Sequence, residues 1–183
     1  MTSVLKCESH LDRYARPASV MRLTFGIDPG LSGAVAVLAD GEFRDVFDMP
    51  TVGRGAKGRQ TVNAVSLAAA LREHVSAEPG ASVLAVLEEV SAMPGQGVTS
   101  MFRFGQSVGA VEGVLAALRM PLVRVRPQEW KKHAGLSGTA KDVARGLAID
   151  LYPAAPLYRV RDGGRADALL LARWAWQTEQ GGK

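Results

Sequence analysis

The chain has 183 residues, enough for one domain with a sizeable core, and 47% of it is hydrophobic with no run approaching a membrane span. Its single cysteine, Cys7, excludes an internal disulfide framework and fits a reducing compartment such as the cytoplasm. A net charge of +4 is compatible with an acidic partner such as nucleic acid; the basic residues gather at 54–59, 124–132 and 159–165, each of which taken singly also reads as solvated surface.

Residues 1–20 are mixed and polar, lack the apolar stretch of a signal peptide, and read as a flexible extension before a domain spanning 21–183. An apolar run (Leu23, Phe25, Ile27) then ends in Asp28, breaks at Pro29-Gly30 and resumes at Ala34: strand, tight turn, strand. A carboxylate ending a buried strand needs a cation or hydrogen-bond donors around it, and capping its own turn would supply the donors. A second strand over 32–39, an Asp40-Gly41 turn and a third strand over 42–48 complete an antiparallel meander. The Gly-rich, basic stretch 51–60 reads as a mobile surface loop whose Arg54, Lys57 and Arg59 could track a phosphate backbone.

Asn63 caps a helix to about residue 77, striped by Leu67, Leu71 and Val75. Residues 83–87 are continuously apolar, as in a strand buried on both faces, and end in Glu88-Glu89: again an acid at a strand tip. A helix over 99–119 sets Gly105, Gly109 and Gly113 on one face, at a cost of about 1 kcal/mol each relative to alanine. Such a face suits close approach of the sheet or of a partner's helix. A strand over 121–125 and a short helix from Pro127 follow, then a helix from a Thr139-Ala140-Lys141-Asp142 capping box to Leu151, striped by Val143, Leu147 and Leu151. Lys141 meets the positive end of that helix dipole, a placement that a nearby anion would relieve. A final helix over 165–178 turns Leu170 and Trp174 inward and carries Asp167 in its first turn, where an acid also complements the dipole.

This order predicts an α/β fold: a mixed five-stranded sheet, three antiparallel strands then two parallel, flanked by helices. With the first and fourth strands adjacent, Asp28 and Glu88 meet, and a helix across the sheet can bring in Asp167. Three converging carboxylates raise one another's pKa, a conflict that divalent cations resolve, and an all-oxygen ligand set suits Mg²⁺. Paired ions in such a site serve phosphodiester hydrolysis. His10, His74 and His133 are scattered and offer no zinc spacing.

In chain order, Phe25-Gly26-Ile27-Asp28-Pro29-Gly30, Leu87-Glu88-Glu89-Val90, Phe104-Gly105-Gln106, Trp130-Lys131, Lys141 and Ala166-Asp167-Ala168-Leu169 resemble the motifs of RuvC-type Holliday-junction resolvases. With Met93-Pro94-Gly95-Gln96-Gly97, the set is most similar to phage and prophage members. The resemblance spans residues 23–174 and implies an RNase H-like fold, a homodimer, and nicking of opposed strands of a four-way DNA junction with Mg²⁺ or Mn²⁺. By motif position it implies metal binding by Asp28, Glu88 and Asp167, and contacts of Lys131 and Lys141 with the scissile phosphate region. Lys132 and Arg165 join the basic loops that would hold the DNA arms.

Two departures stand out. The family often has an acid or histidine three residues before the last aspartate; here Gly164 stands there, and Asp162 is the acid that would serve as a fourth ligand. The junction-wedging aromatic of some members has no obvious counterpart, Met93 and Phe102 being the candidates. The rival readings are a flap- or fork-cutting nuclease of the same fold, a non-catalytic junction-binding relative, and, from the opening hairpin, an actin-like phosphotransferase, for whose two domains the chain is too short.

Overall fold

The computed structural model describes residues 20–54, 59–89, 95 and 97–181. All but the last residue of the extension expected over 1–20 lies outside them, as do Lys57 and Met93. The meander forms as expected: β1 (Arg22–Ile27), β2 (Ala34–Ala39) and β3 (Glu42–Asp48) pair antiparallel in sequence. At the β2–β3 turn Asp40 and Gly41 have φ of 49° and 87°, the left-handed conformation for which an Asp-Gly pair is suited.

The next stretch differs from expectation. Residues read as a loop form a separate antiparallel ribbon, β4 (Thr51–Arg54) with β5 (Arg59–Val62), in which Arg54 pairs with Arg59. Backbone donors and acceptors can satisfy one another with almost no side-chain burial, which is why hydrophobic patterning does not reveal such a ribbon. α1 (Ala64–Ala77) starts at Asn63, whose side chain accepts the Ser66 N–H at 3.1 Å, and buries Leu67 and Leu71. β6 (Ser82–Glu88) runs parallel to β1, α2 (Val98–Ala117) follows, and β7 (Leu122–Val125) runs parallel to β6. The sheet order is β3-β2-β1-β6-β7. α3 (Pro127–His133), α4 (Lys141–Leu151) and α5 (Gly163–Gly181) complete the chain.

Strand alternation divides the core into two layers. Leu23, Phe25, Ile27 and Leu87 belong to the cluster that α1 and α2 cover, while Leu84, Val86 and Val125 belong to the one covered by α3, α4 and α5. Asp28 and Glu88 continue the second parity.

α5 is the centre of that second layer and sits directly on β1 and β2. Glycines permit the approach. A Cβ at Gly26 would lie 2.1 Å from the Ala168 carbonyl oxygen, and one at Gly164 would lie 2.6 Å from that of Ser32. Toward the other end of α5, Glu179 pairs with the buried Arg22 of β1.

Four helical details refine what the sequence suggests. The capping box at α4 does not form: Ala140 is the N-cap, and the Thr139 hydroxyl donates back to the Leu136 carbonyl at 2.9 Å. α4 turns Ala144 and Ala148 inward, with Leu147 and Leu151 at the margin, while Val143 is 47% exposed. Small alanines let α4 and α5 approach, a signal that a search for large apolar residues misses. α5 starts earlier than expected, so Asp167 is past its first turn and dipole compensation accounts for less of its presence. On α2, a Cβ at Gly105, Gly109 or Gly113 would meet nothing within 4 Å among the described residues, so that face is not packed on the sheet.

The contrast between glycines is testable. Gly26→Ala forces α5 off β1 and costs about 3 kcal/mol. Gly146→Ala, in α4 where a Cβ meets nothing within 4 Å among the described residues, adds about 1 kcal/mol. Urea unfolding of both variants checks this; equal midpoints would mean that α5 moves away from the sheet at little cost.

Candidate active site

Asp28 follows β1 immediately, and the β1–β2 turn is wrapped around it. Its backbone N–H donates to the Ala34 carbonyl at 3.0 Å, and its Oδ1 accepts the Gly30 N–H at 3.0 Å. A Cβ at Gly33 would fall 2.3 Å from the Asp28 carbonyl oxygen and 2.8 Å from its carboxyl carbon. The turn-capping role anticipated for this acid is therefore real, and the half-buried carboxylate also lines a cavity.

Glu88 ends β6. Since Ile27 is in register with Leu87, Glu88 occupies the next row beside Asp28, on the same face of the sheet. Its Oε1 accepts the indole N–H of the buried Trp130 at 3.0 Å. Burial pushes the Glu88 pKa up; the Trp130 hydrogen bond opposes this, the Asp28 charge adds to it, and Lys131 works against it, with a net rise. Glu89 points the other way by alternation, is exposed, and lies 3.8 Å from Arg126.

A cavity of about 340 Å³ lies between the β1–β2 turn, α3, the start of α4 and the start of α5. Asp28, Asp167 and Lys131 line it. Lys131 is half-buried with its ammonium 5.1 Å from the Trp130 ring centroid, so one indole holds both the glutamate and the lysine. Lys141 is the first residue of α4, and the two residues before it, Thr139 and Ala140, line the same cavity. Among the described residues, no three Asp, Glu, His or Cys side chains stand close enough together to hold one ion as they are. The donor chemistry nonetheless suits a hard divalent cation: Asp28 and Glu88 are neighbouring carboxylates, burial and to a lesser extent the Asp28 charge raise the Glu88 pKa, and Asp167 shares the cavity with Asp28.

The remaining expected residues sit elsewhere. Asp162 is buried and committed: its carboxylate accepts from the Arg159 backbone N–H at 2.8 Å and from Arg159 Nε at 2.9 Å, closing a single 3₁₀ turn over Val160–Asp162. Burial works to raise its pKa, but the Arg159 bonds outweigh that and hold it below the usual aspartate range. Arg165 donates to Asp48 at 2.6 Å and to the Pro156 carbonyl at 3.2 Å, tying α5 to the end of β3. Lys132 is exposed on α3. Phe102 is 67% exposed and lines a second cavity, about 410 Å³, on the Leu31 side of the β1–β2 turn. Sequence reading missed Arg161, which lines the carboxylate cavity. It lies inside a basic cluster that was legible, but nothing in the sequence separates it from Arg159 and Arg165.

The chain matches no family model. Over 121 residues, 64% of the chain, it is 34% identical to the chloroplastic Holliday junction resolvase MOC1 of Chlamydomonas reinhardtii, and it spans 14% of that protein's length. Among solved structures it is similar to T. thermophilus RuvC in complex with a Holliday junction substrate, at a TM-score of 0.55 and 18% identity, covering 87% of this chain and 96% of that one. A second Thermus thermophilus RuvC structure matches at a TM-score of 0.51 with 18% identity and the same coverage, 87% and 96%. The fold is the RuvC-like variant of the RNase H fold.

The raised Glu88 pKa gives a pH prediction. The folded chain keeps this proton where the unfolded chain has lost it, so the associated stability is complete below the ordinary glutamate value of 4.5 and is lost as pH rises through the raised value. In metal-free buffer the protein loses stability across that window, and Glu88→Gln removes this component. Thermal unfolding in EDTA from about pH 4 to 7 checks it; a variant whose profile parallels the wild type would assign the effect to another group.

Proposed function

We propose that this chain is a divalent-metal-dependent DNA endonuclease that resolves four-way junctions by paired nicks, leaving 5′-phosphate and 3′-hydroxyl ends. The observation that carries it is the placement of Asp28 and Glu88 side by side in one row on one sheet face, with Asp167 and Lys131 on the cavity that Asp28 lines. The RuvC fold and the identity to a junction resolvase support the substrate. Asp28, Glu88 and Asp167 would hold Mg²⁺, or Mn²⁺ in its place. When bound, paired ions of this kind activate a water and stabilise the leaving oxygen of a phosphodiester.

The chain's own groups do the positioning. The Gly30 N–H fixes one Asp28 oxygen and the Trp130 indole fixes one Glu88 oxygen, which sets the orientation of both carboxylates. Lys131 and Lys141 would take the phosphate. Arg54 and Arg59 of the ribbon, Lys57 between them in sequence, and Lys132 on α3 would hold the arms through contacts with the DNA backbone that weaken steeply with salt. Phe102 would serve as the wedge at the junction centre. Asp162 stays out of the ion site because Arg159 holds its carboxylate, and Arg165 contributes through α5 rather than through DNA.

A homodimer would match the two-fold symmetry of the junction. The open glycine face of α2 is the surface best suited to it. No helix among the described residues is long and apolar enough to cross a membrane. The proposed location is the cytoplasm of a bacterial or phage-infected cell.

Labelled four-way junction, flap and linear duplex DNA, each with Mg²⁺, Mn²⁺ or EDTA, test the activity. Symmetric metal-dependent nicks confined to the junction are expected; cutting of flaps or forks instead would discard the substrate. Asp28→Asn is expected to lower the cutting rate at least about 100-fold while junction binding persists. Asp162→Asn is expected to melt earlier and to cut at close to the wild-type rate. Oxidative cross-linking of Gly109→Cys in a Cys7→Ser background should trap a covalent dimer, and exclusively monomeric product would place the dimer surface elsewhere.

A further inference from the structure

The segment 159–165 carries three arginines in different circumstances. Arg159 is closed onto Asp162, and Arg165 onto Asp48 and the Pro156 carbonyl. Arg161 is exposed and has no hydrogen-bond or ion-pair partner among the described residues, yet it lines the cavity that holds Asp28 and Asp167. Its backbone is not free to wander. The Asp162–Arg159 clamp closes the 3₁₀ turn on both sides of it, and the turn runs directly into α5.

The rest of the cavity wall has complementary chemistry. Lys131 contributes a second cation from α3, and α4 presents its N-terminal end, with no side-chain cap, through Thr139 and Ala140. Gly164 admits no side chain against Ser32, so no acid can stand at that position to neutralise Arg161. An exposed arginine that shares a cavity with two acids, and has no hydrogen-bond or ion-pair partner among the described residues, is suited to an anion that arrives from outside.

We propose that Arg161 is a phosphate-binding residue of the active cleft. Its guanidinium takes the non-bridging oxygens of a DNA phosphate at or next to the cut, so that Lys131 grips the strand from α3 and Arg161 grips it from the turn ahead of α5. The inference rests on the junction-nuclease reading given above. Arginine suits the task because its planar fork can meet two phosphate oxygens at once, whereas lysine offers a point charge.

The test uses the full chain, four-way junction DNA and a salt series, with binding read by anisotropy in EDTA and cutting read under single turnover with Mg²⁺. Arg161→Ala should weaken binding about tenfold and reduce the slope of log affinity against log salt by about 0.9, the share of one phosphate. Its single-turnover rate should fall, and Arg161→Lys should restore the slope without the full rate. Arg72→Ala, an exposed arginine on α1, serves as the unchanged control. A neutral methylphosphonate walked along the cut strand should reach one position that costs the wild type binding and costs Arg161→Ala nothing further. A wild type that cuts junctions together with an Arg161→Ala variant of unchanged slope and rate would overturn this inference alone. Weaker binding at an unchanged slope, or no coupled phosphate at any position, would overturn it too. A wild type that neither binds nor cuts junctions would remove the functional reading and this inference with it.

Discussion

Where α5 crosses β1, the two backbones touch. A single added carbon at Gly26 would collide with the Ala168 carbonyl, and one at Gly164 with the Ser32 carbonyl. Between these contacts lies Asp167, one residue before Ala168, so the close approach that packs the helix also brings its carboxylate to the cavity of Asp28. At the far end the buried Arg22 holds Glu179, which keeps the helix from pivoting about its glycine contacts. Any side chain large enough to lift α5 from the hairpin would therefore separate the acids as well as loosen the core.

The same contact explains the glycine at position 164. A side chain there has nowhere to go, so the wall formed by the start of α5 against the turn is backbone. The neighbouring acid, Asp162, is spent on closing a turn around Arg159. The carboxylates near the cavity are thus reduced to those supplied by two strand tips and one helix, and burial, with a smaller contribution from the Asp28 charge, raises the Glu88 pKa. Trp130 offsets part of the rise by donating to Glu88, while its ring supports Lys131, whose positive charge also works against it.

Charge is allotted by tertiary contact rather than by count. Arg159 and Arg165 read as the same kind of residue as Arg161, but both are structural ties, one within a turn and one between α5 and β3. Likewise the glycine ladder of α2 is an outward feature, whereas Gly26, Gly33 and Gly164 are inward ones that set distances to the nearest ångström. A glycine in a sequence marks a place where a side chain is missing; only the neighbours say whether it is missing because of crowding or despite free space.

The sequence by itself determined the sheet, the two-layer arrangement and the candidate acids. Alternation and apolar runs are local signals: Leu23, Phe25 and Ile27 ending in Asp28, and residues 83–87 ending in Glu88, announce strand tips with carboxylates because burial is written in every second residue or in unbroken apolar runs. The ribbon at β4–β5 was not legible, since its bonds are between backbones and need no hydrophobic pattern. Nor were the frayed capping box of α4, the inward alanines of that helix, or the division of labour among three arginines. Each depends on which residue arrives from a distant part of the chain, and spacing along one element carries no record of that. The adjacency of Asp28 and Glu88 was expected from the strand order, and the Arg159–Asp162 pair is local to one turn, but that Arg165 is tied to Asp48 and Arg161 is the arginine at the cavity was settled only by the packed structure, because close helix packing and the ion pair between α5 and β3 join segments distant in the chain.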